Sequence, residues 1–234
     1  MHQLHGGFRS AARSVWMPAD RTGTSAAFEL TLGDGLDGYP GIRTVRAVYS
    51  LDGKSIVLVI TCTTDTPTLF NPTTHAYWNF HPGISVLDHK LEIPAETFCS
   101  NTSQFIPESW HSVKDTAFDF TTKAVLSDAM EKADPFCQLQ NGHGYNNGFR
   151  ASKAEIQSSG LSMTLETDAS VLWLYSGGFL GKETVLSCPG HGGTVSVPAF
   201  PSCALALEPQ ELPENTVTEP GRQYIRTVRF SFEF

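Results

Sequence analysis

Hydrophobic and polar residues alternate with a period of two along most of this chain, which is typical of β-strands. A strand over 44–50, a tight turn at Asp52-Gly53 and a β-branched return strand over 55–64 together predict a hairpin. Further strands are predicted over 149–157, 161–169, 171–175, 203–208 and 223–234. Many short strands separated by turn residues indicate an all-β antiparallel sandwich or barrel.

Helical periodicity is scarce in the same pattern. A helix of two turns is predicted over 127–133, ended by Pro135. Stretches rich in glycine and asparagine, over 33–41 and 141–148, are predicted to be loops. Because no repeat or linker divides the sequence, we expect a single domain over residues 1–234.

Composition and charge narrow the classes of protein. With 234 residues, 40% hydrophobic and 17% charged, the chain can bury a large core and is not intrinsically disordered. A net charge of -8 without a basic cluster argues against nucleic acid and against anionic membrane as partners. The N-terminus lacks the apolar region of a signal peptide, and the longest aliphatic run, Ile56–Ile60, is too short to span a bilayer. We expect a cytoplasmic protein.

The cysteines suggest neither a disulfide framework nor a metal site. The five of them are odd in number and widely spaced, without a C-x-x-C pair. They are Cys62, Cys99, Cys137, Cys188 and Cys203. We expect buried, reduced thiols and neither a zinc knuckle nor a thioredoxin-like site, and the sequence contains no nucleotide-binding glycine loop.

The strand over 203–208 is the most informative candidate for chemistry. Its alternation puts Ala204, Ala206 and Glu208 on one face. Two alanines beside a carboxylate leave open volume, which suits Glu208 as a general base. The alternative at this point is a glutamate at the end of a strand, in contact with water.

A second candidate is the histidine of an aromatic segment, Thr73–Phe80. His75 could be a general acid, since an imidazole changes its charge near neutral pH, or a hydrogen-bonded histidine of the core. His5, beside two glycines, and Asn146, within another glycine-rich stretch, are further candidates. Glycines allow a backbone to approach a ligand closely, but they also mark ordinary turns.

These pieces belong to a series of short motifs that follow one another along nearly the whole chain. They are Leu4-His5-Gly6-Gly7, Asp37-Gly38-Tyr39-Pro40-Gly41, His75-Ala76-Tyr77-Trp78-Asn79-Phe80, Leu87-Asp88-His89-Lys90-Leu91, Ile106-Pro107, Thr116-Ala117-Phe118-Asp119-Phe120, Tyr175-Ser176-Gly177-Gly178-Phe179-Leu180 and Leu207-Glu208-Pro209-Gln210-Glu211-Leu212-Pro213. In this order they resemble the aldose 1-epimerase (galactose mutarotase) family. Each motif is weak alone, but together they are specific.

The resemblance implies a galactose mutarotase-like β-sandwich that interconverts the α and β anomers of free hexoses, such as galactose and glucose, without a metal or cofactor. By motif position, Glu208 would be the general base on the C1 hydroxyl and His75 the general acid on the ring oxygen. His5 and Tyr77 would contact sugar hydroxyls. The partner is then an aldohexose substrate, and we expect a monomer or a homodimer.

The chain departs from the family's pattern in three places. The Leu4–Gly7 motif usually lies well inside the chain, after strands that carry a substrate-binding Asn-Arg pair. We therefore expect a sandwich that lacks those N-terminal strands. The family's Gly-Tyr-Asp-His is Gly144-Tyr145-Asn146-Asn147 here, so an amide replaces the aspartate that accepts hydrogen bonds from the sugar. Trp173 replaces a glutamine and could stack on a sugar face or fill space.

These departures keep an alternative open, namely a sugar-binding homologue that has lost turnover. A mutarotase for phosphorylated hexoses ranks last, because the sequence shows no basic motif for the phosphate. A polysaccharide-cleaving enzyme would need a second catalytic carboxylate across the sugar from Glu208. Glu211 and Glu214 are near in sequence, but strand geometry does not place them there.

Overall fold

A computed structural model describes residues 3–81, 83–181, 183–190 and 193–234, without the side chains of 186–190, 193–195, 197 and 213. The strands are β1 (Met17–Arg21), β2 (Ser25–Leu32), β3 (Arg43–Asp52), β4 (Ser55–Thr64), β5 (Thr68–Leu69), β6 (Tyr77–Trp78), β7 (Lys90–Glu92), β8 (Thr97–Asn101), β9 (Pro107–Ser112), β10 (Ala124–Val125), β11 (Asn146–Phe149), β12 (Lys153–Ser158), β13 (Leu161–Thr167), β14 (Val171–Tyr175), β15 (Val185–Gly190), β16 (Gly193–Pro198), β17 (Leu205–Gln210), β18 (Val217–Thr218) and β19 (Tyr224–Glu233). The helices are α1 (Leu126–Met130) and α2 (Gln138–Gly142), with 3₁₀ turns at Ala11–Arg13, Leu36–Gly38, Val86–Asp88 and Pro213–Asn215. The all-β prediction is confirmed.

The chain divides into two compact units. The first comprises Met1–Pro72, Leu165–Ala169 and Gln210–Phe232, and the second comprises Thr73–Thr164, Ser170–Pro209 and Glu233–Phe234.

The first unit is built on strands in the order β1-β2-β3-β4-β19. The predicted β3–β4 hairpin is present, paired without interruption from Arg43↔Thr64 to Asp52↔Ser55. Gly53 turns the chain with a φ of 59°, which glycine adopts without strain. Alternate residues of three adjacent strands form a buried apolar face, as a period of two requires. They are Val45, Ala47, Leu58, Ile60, Cys62, Val228 and Phe230.

The second unit contains, among the described residues, a six-stranded sheet in the order β6-β17-β14-β11-β8-β9, and the strands β12-β7-β10 side by side. Its core is aromatic: Phe98 and Phe118 stack with ring centroids 4.0 Å apart. Buried Tyr145 packs edge-on against Phe120 and donates its hydroxyl to the Ala117 carbonyl at 2.9 Å. The buried phenol therefore has the hydrogen-bond partner that burial demands.

The strand predicted over 149–157 is wrong as a single element. β11 ends at Phe149 and β12 begins at Lys153, and the two strands lie in different sheets. The burial pattern shows why, because Ser152 and Lys153 are both exposed and the alternation loses its phase there. The Ala151 N–H donates back to the Phe149 carbonyl at 2.9 Å, which turns the chain out of the six-stranded sheet after β11.

The predicted helix over 127–133 also needs correction. α1 begins at Leu126 and ends at Met130. After Met130 the backbone turns more tightly, with the Lys132 N–H donating to the Ala129 carbonyl at 3.1 Å, and Ala133 is paired with Thr116 in an isolated β-bridge. The predicted loop over 141–148 is shorter than expected, because α2 reaches Gly142 and β11 starts at Asn146.

Cys62, Cys99 and Cys203 are buried free thiols, as predicted, whereas Cys137 is free but exposed. The side chain of Cys188 lies outside the described residues. Burial raises the pKa of the Cys62 thiol to about 11, so it stays protonated. Among the described residues, no helix has the length and apolar character needed to cross a bilayer.

Candidate active site

Neighbouring strands of the six-stranded sheet carry most of the predicted site residues on one face. Tyr77 on β6 lies directly opposite Ala206 on β17, and opposed residues of antiparallel strands share a face. Glu208 is two residues beyond Ala206, so it points the same way. On the next strands, Asn146 of β11 lies opposite Tyr175 of β14, and Trp173 shares the face of Tyr175.

His75 and Glu208 meet at this face. The Nε2 atom of His75 lies 3.4 Å from Oε1 of Glu208. The Glu208 side chain is only 8% exposed, whereas that of His75 is 27% exposed. The alternative of a strand-end glutamate in water is therefore wrong, and one member of the pair remains open to a ligand.

Two tyrosines surround the imidazole. The His75 ring lies 4.9 Å from the Tyr77 ring and 6.2 Å from the Tyr175 ring, and the two phenol rings are 6.3 Å apart. Tyr175 was not predicted as a site residue. Its position two residues after Trp173 on an alternating strand was the signal that could have found it.

Both phenols keep their protons near neutral pH. Burial, with a smaller effect from the charges of Tyr175 and Glu208, raises the pKa of Tyr77 to about 12. Burial also raises the pKa of Tyr175, although the Phe179 N–H that donates to its hydroxyl at 2.9 Å opposes the shift. These hydroxyls are therefore hydrogen-bond donors rather than bases, which leaves the imidazole and the carboxylate as the groups able to exchange protons.

The aromatic motif that contains His75 is fixed by its asparagine. The side-chain amide of Asn79 donates to the Cys203 carbonyl at 2.8 Å and to the Ile84 carbonyl at 2.9 Å. These bonds tie the end of β6 to the segment that leads into β17. The two strands that position Tyr77 and Glu208 are thus held together by a side chain as well as by their backbone ladder.

The glycines of the segment after β14 allow close approach of backbone. Gly177 has a φ of 74°, and a Cβ there would collide with the Ala204 carbonyl. A Cβ on Gly178 would collide with the His143 carbonyl. Only glycine therefore fits this turn, which packs the end of β14 against the start of β17.

Another histidine of the motifs, His89, has a structural role. It is fully buried, and its Nε2 atom accepts the Phe80 N–H at 3.0 Å. Burial lowers the pKa of His89, so the ring is neutral with its proton on Nδ1. Among the described residues, no three His, Cys, Asp or Glu side chains are grouped so as to hold a metal ion.

The first predicted contact residue, His5, belongs to the first unit. It is exposed, with a φ of 55°. The motif around it packs on Asp37 of the second motif, which accepts the Arg9 N–H at 2.7 Å and lies where a Cβ on Gly7 would be. Contact of His5 with a sugar stays a prediction.

The remaining predicted residues, Asn146 and Trp173, touch each other. The indole Nε1 of Trp173 lies 2.8 Å from Oδ1 of Asn146. Both positions depart from the family's pattern, and sequence alone did not indicate that they form a pair.

Comparisons with known proteins point to one family. A family model described as aldose 1-epimerase matches residues 1–229. The aldose 1-epimerase of Escherichia coli K12 is 27% identical over 255 residues, covering 99% of this chain and 70% of that protein. The galactose mutarotase of Mus musculus is 26% identical over 256 residues, covering 99% of this chain and 69% of that protein.

Solved structures give the same result for the fold. A GalM/aldose epimerase homologue from C. elegans superimposes with a TM-score of 0.84 at 25% identity, covering 99% of this chain and 72% of that one. Galactose 1-epimerase from Lactobacillus acidophilus NCFM superimposes with a TM-score of 0.82 at 24% identity, covering 99% of this chain and 70% of that one. These neighbours confirm the prediction of a galactose mutarotase-like sandwich.

Proposed function

Because this chain belongs to the aldose 1-epimerase family, a class of isomerases, we propose that it interconverts the α and β anomers of free hexoses such as galactose and glucose. The observation that carries the proposal is the 3.4 Å approach of His75 Nε2 to Glu208 Oε1, on a face lined by phenol donors. Mutarotation needs two proton-exchanging groups that reach the C1 hydroxyl and the ring oxygen of one hemiacetal, and an imidazole beside a carboxylate supplies two such groups.

In the proposed first step, the Glu208 carboxylate takes the proton of the C1 hydroxyl. The electrons of that O–H bond form the C1 carbonyl as the bond between C1 and the ring oxygen breaks. The ring oxygen then takes a proton from the His75 imidazolium. The products are the open-chain aldehyde, a protonated Glu208 and a neutral His75.

Rotation about the C1–C2 bond then presents the other face of the aldehyde. In the reverse reaction, the hydroxyl that was the ring oxygen returns its proton to His75 and attacks C1, and Glu208 returns its proton to the carbonyl oxygen. No proton or electron is gained or lost over the cycle. The protonated phenols of Tyr77 and Tyr175 can donate to sugar oxygens without competing for these protons.

Polarimetry of freshly dissolved α-D-galactose and α-D-glucose tests the proposal. The protein should accelerate the approach to anomeric equilibrium, and Glu208→Gln should reduce the acceleration by about 10²–10⁴-fold, the usual contribution of a positioned proton transfer. Glu155→Gln is a matched control, since Glu155 pairs with Lys123 away from this face. Folded wild-type protein that does not accelerate either sugar would reject the proposal.

A sugar-binding protein without turnover is the second candidate. The observation in its favour is that the side chain at 146 is an amide whose oxygen is already bonded to Trp173. Calorimetry would then detect saturable sugar binding while polarimetry detects no acceleration.

We further propose that the chain acts as one domain in the cytoplasm, as a monomer or a homodimer. A single cooperative unfolding transition in scanning calorimetry supports one domain, and two separated transitions contradict it. Analytical ultracentrifugation distinguishes the two oligomeric states.

A further inference from the structure

The hydrogen bond between Trp173 and Asn146 fixes the orientation of the Asn146 amide. An indole N–H is a donor only, so the atom 2.8 Å away must be the amide oxygen rather than its nitrogen. The oxygen of the side chain is thereby occupied, and the NH₂ group is directed away from the indole. This amide therefore has a definite polarity, which an isolated asparagine would lack.

The indole is held at a second place. Gly148 lies directly opposite Trp173 in the sheet, and a Cβ on Gly148 would lie 2.9 Å from Cε3 of the ring. The six-membered part of the ring thus packs where a side chain at 148 would be. With one edge bonded to Asn146 and the other on the backbone of Gly148, the ring has little freedom to turn.

The rest of Asn146 is bonded within the sheet. Its carbonyl accepts Nδ2 of Asn101 at 2.7 Å, and its N–H donates to Oδ1 of Asn147 at 3.3 Å. Within the described part of the chain, the side-chain NH₂ of Asn146 donates to no acceptor. The residue is only half-buried, so a ligand can reach this group. The functional face therefore contains, at this point, a group that can donate hydrogen bonds but cannot accept them.

We propose that Trp173 and Asn146 are a specificity-determining pair, in which the indole commits the amide to donation so that one oxygen of the sugar is recognised as an acceptor. The inference rests on the proposed function. Its consequence for the substrate is chemical: the oxygen at that carbon must accept a hydrogen bond, and the hydrogen of its hydroxyl contributes nothing to recognition. A side chain that accepts at this position would have the opposite requirement.

Deoxy and deoxyfluoro derivatives of galactose separate these two requirements. Removal of a hydroxyl abolishes both acceptance and donation, whereas fluorine is of similar size, accepts weakly and cannot donate. At one carbon among C2, C3, C4 and C6, the deoxy sugar should lose about tenfold in affinity, as expected for one hydrogen bond. The fluoro sugar at that carbon should lose clearly less. Calorimetry measures the affinities and polarimetry measures kcat/KM.

Two variants test the role of the pair. Trp173→Phe keeps an aromatic ring but releases the amide, which can then turn its oxygen to a hydroxyl hydrogen, so the deficit of the fluoro sugar should grow. Asn146→Asp keeps an acceptor for the indole and removes every donor. The deoxyfluoro sugar should then bind no better than the deoxy sugar. Trp110→Phe is the matched control, since Trp110 stacks under Arg150 and should leave the pattern unchanged. If Trp173→Phe does not fold, Asn146→Asp carries the test.

A spectroscopic measurement tests the pair without turnover. In ¹⁵N-labelled protein, the indole N–H signal of Trp173 should be protected from exchange with water, and Asn146→Ala should shift that signal and remove the protection. An unprotected signal overturns the inference, and so does a fluoro sugar that binds no better than its deoxy counterpart at every carbon. If the protein binds sugars with the expected selectivity but does not accelerate mutarotation, only the proposed function is wrong. If it accelerates mutarotation but Trp173→Phe leaves the selectivity unchanged, only this inference is wrong. Failure of the wild type to bind any sugar overturns both.

Discussion

Each of the two units contains a basic side chain beside a largely buried carboxylate, and the two pairs are built differently. In the first unit, Arg226 is 2% exposed and lies on the apolar face of β19. It forms ion pairs with Asp168 at 2.7 Å and with Glu211, and both its Nε and its NH2 group donate to the Tyr224 hydroxyl. In the second unit, His75 faces Glu208 at 3.4 Å and is 27% exposed.

The difference lies in which partner can release a proton and which remains reachable. A guanidinium does not lose its proton in proteins, and the described partners of Arg226 enclose it. An imidazole exchanges protons near neutral pH, and His75 is open on one side. A basic side chain paired with a buried carboxylate therefore does not by itself mark an active site. A site also needs a titratable member that a ligand can reach.

Substitution of His75, which faces Glu208, should cause the largest loss of activity. His75→Gln removes the proposed proton donor to the ring oxygen, so mutarotation by the folded protein should fall by about 10²–10⁴-fold. Since the side chain is partly exposed, the free energy of unfolding should change little. Polarimetry and urea unfolding measure the two quantities. A variant that is strongly destabilised yet fully active per folded molecule would reverse the comparison.

Arg226→Met should have the opposite result, a loss of stability without a loss of activity. Removal of one partner leaves the carboxylates of Asp168 and Glu211 without their cation, so the protein should lose about 3–5 kcal/mol of stability. The specific activity of the folded fraction should remain. Arg229→Met is the control on the same strand, because Arg229 pairs with Asp52 at the surface and should lose less than about 1 kcal/mol. Equal losses in the two variants would contradict the comparison.

Tyr77→Phe tests a neutral hydrogen-bond donor beside His75 and Glu208. The phenol is neutral below its pKa of about 12, so its removal deletes a neutral hydrogen bond of about 0.5–1.5 kcal/mol. The value of kcat/KM should fall by up to about tenfold while the pH profile near neutrality keeps its shape. A loss as large as that of His75→Gln would mean that the phenol takes part in proton transfer.

The smallest expected effect concerns His89, a buried histidine outside the proposed chemistry. Burial lowers its pKa, the nearby Asp88 opposes the shift and His81 adds to it. The unfolded chain thus protonates His89 more readily than the folded chain does. The contribution of His89 to the free energy of unfolding is therefore complete above about pH 6.5 and is lost as the pH falls below that value. Urea unfolding at pH 7.5 and pH 5 should show a smaller difference for His89→Gln than for the wild type. An equal or larger difference would exclude His89 as its source.

The sequence predicted local structure best. The hairpin over 44–64 depends on a two-residue turn and on alternation, both of which can be read directly. The strand predicted over 149–157 failed because alternation continues up to a corner where the chain changes sheets. The helix over 127–133 failed because Ala133 pairs with Thr116 in a β-bridge, a tertiary contact that overrides helical propensity.

The site was predicted only as far as periodicity and the family resemblance reach. Alternation indicated that Glu208 shares a face with Ala206, but it could not indicate that this face is covered, which the 8% exposure of the side chain shows. The contact of Trp173 with Asn146 depends on the register between β11 and β14, and no local pattern reports that register.

In the proposed reaction, His75 and Glu208 exchange protons with one hemiacetal. Two-dimensional exchange NMR on galactose at anomeric equilibrium tests it most directly, because cross peaks between the α and β anomeric protons report ring opening itself. Strong cross peaks are expected with the wild type, and cross peaks no stronger than those of buffer with Glu208→Gln at the same concentration of folded protein. Cross peaks of equal strength for the two proteins, or none with folded wild type, would contradict it.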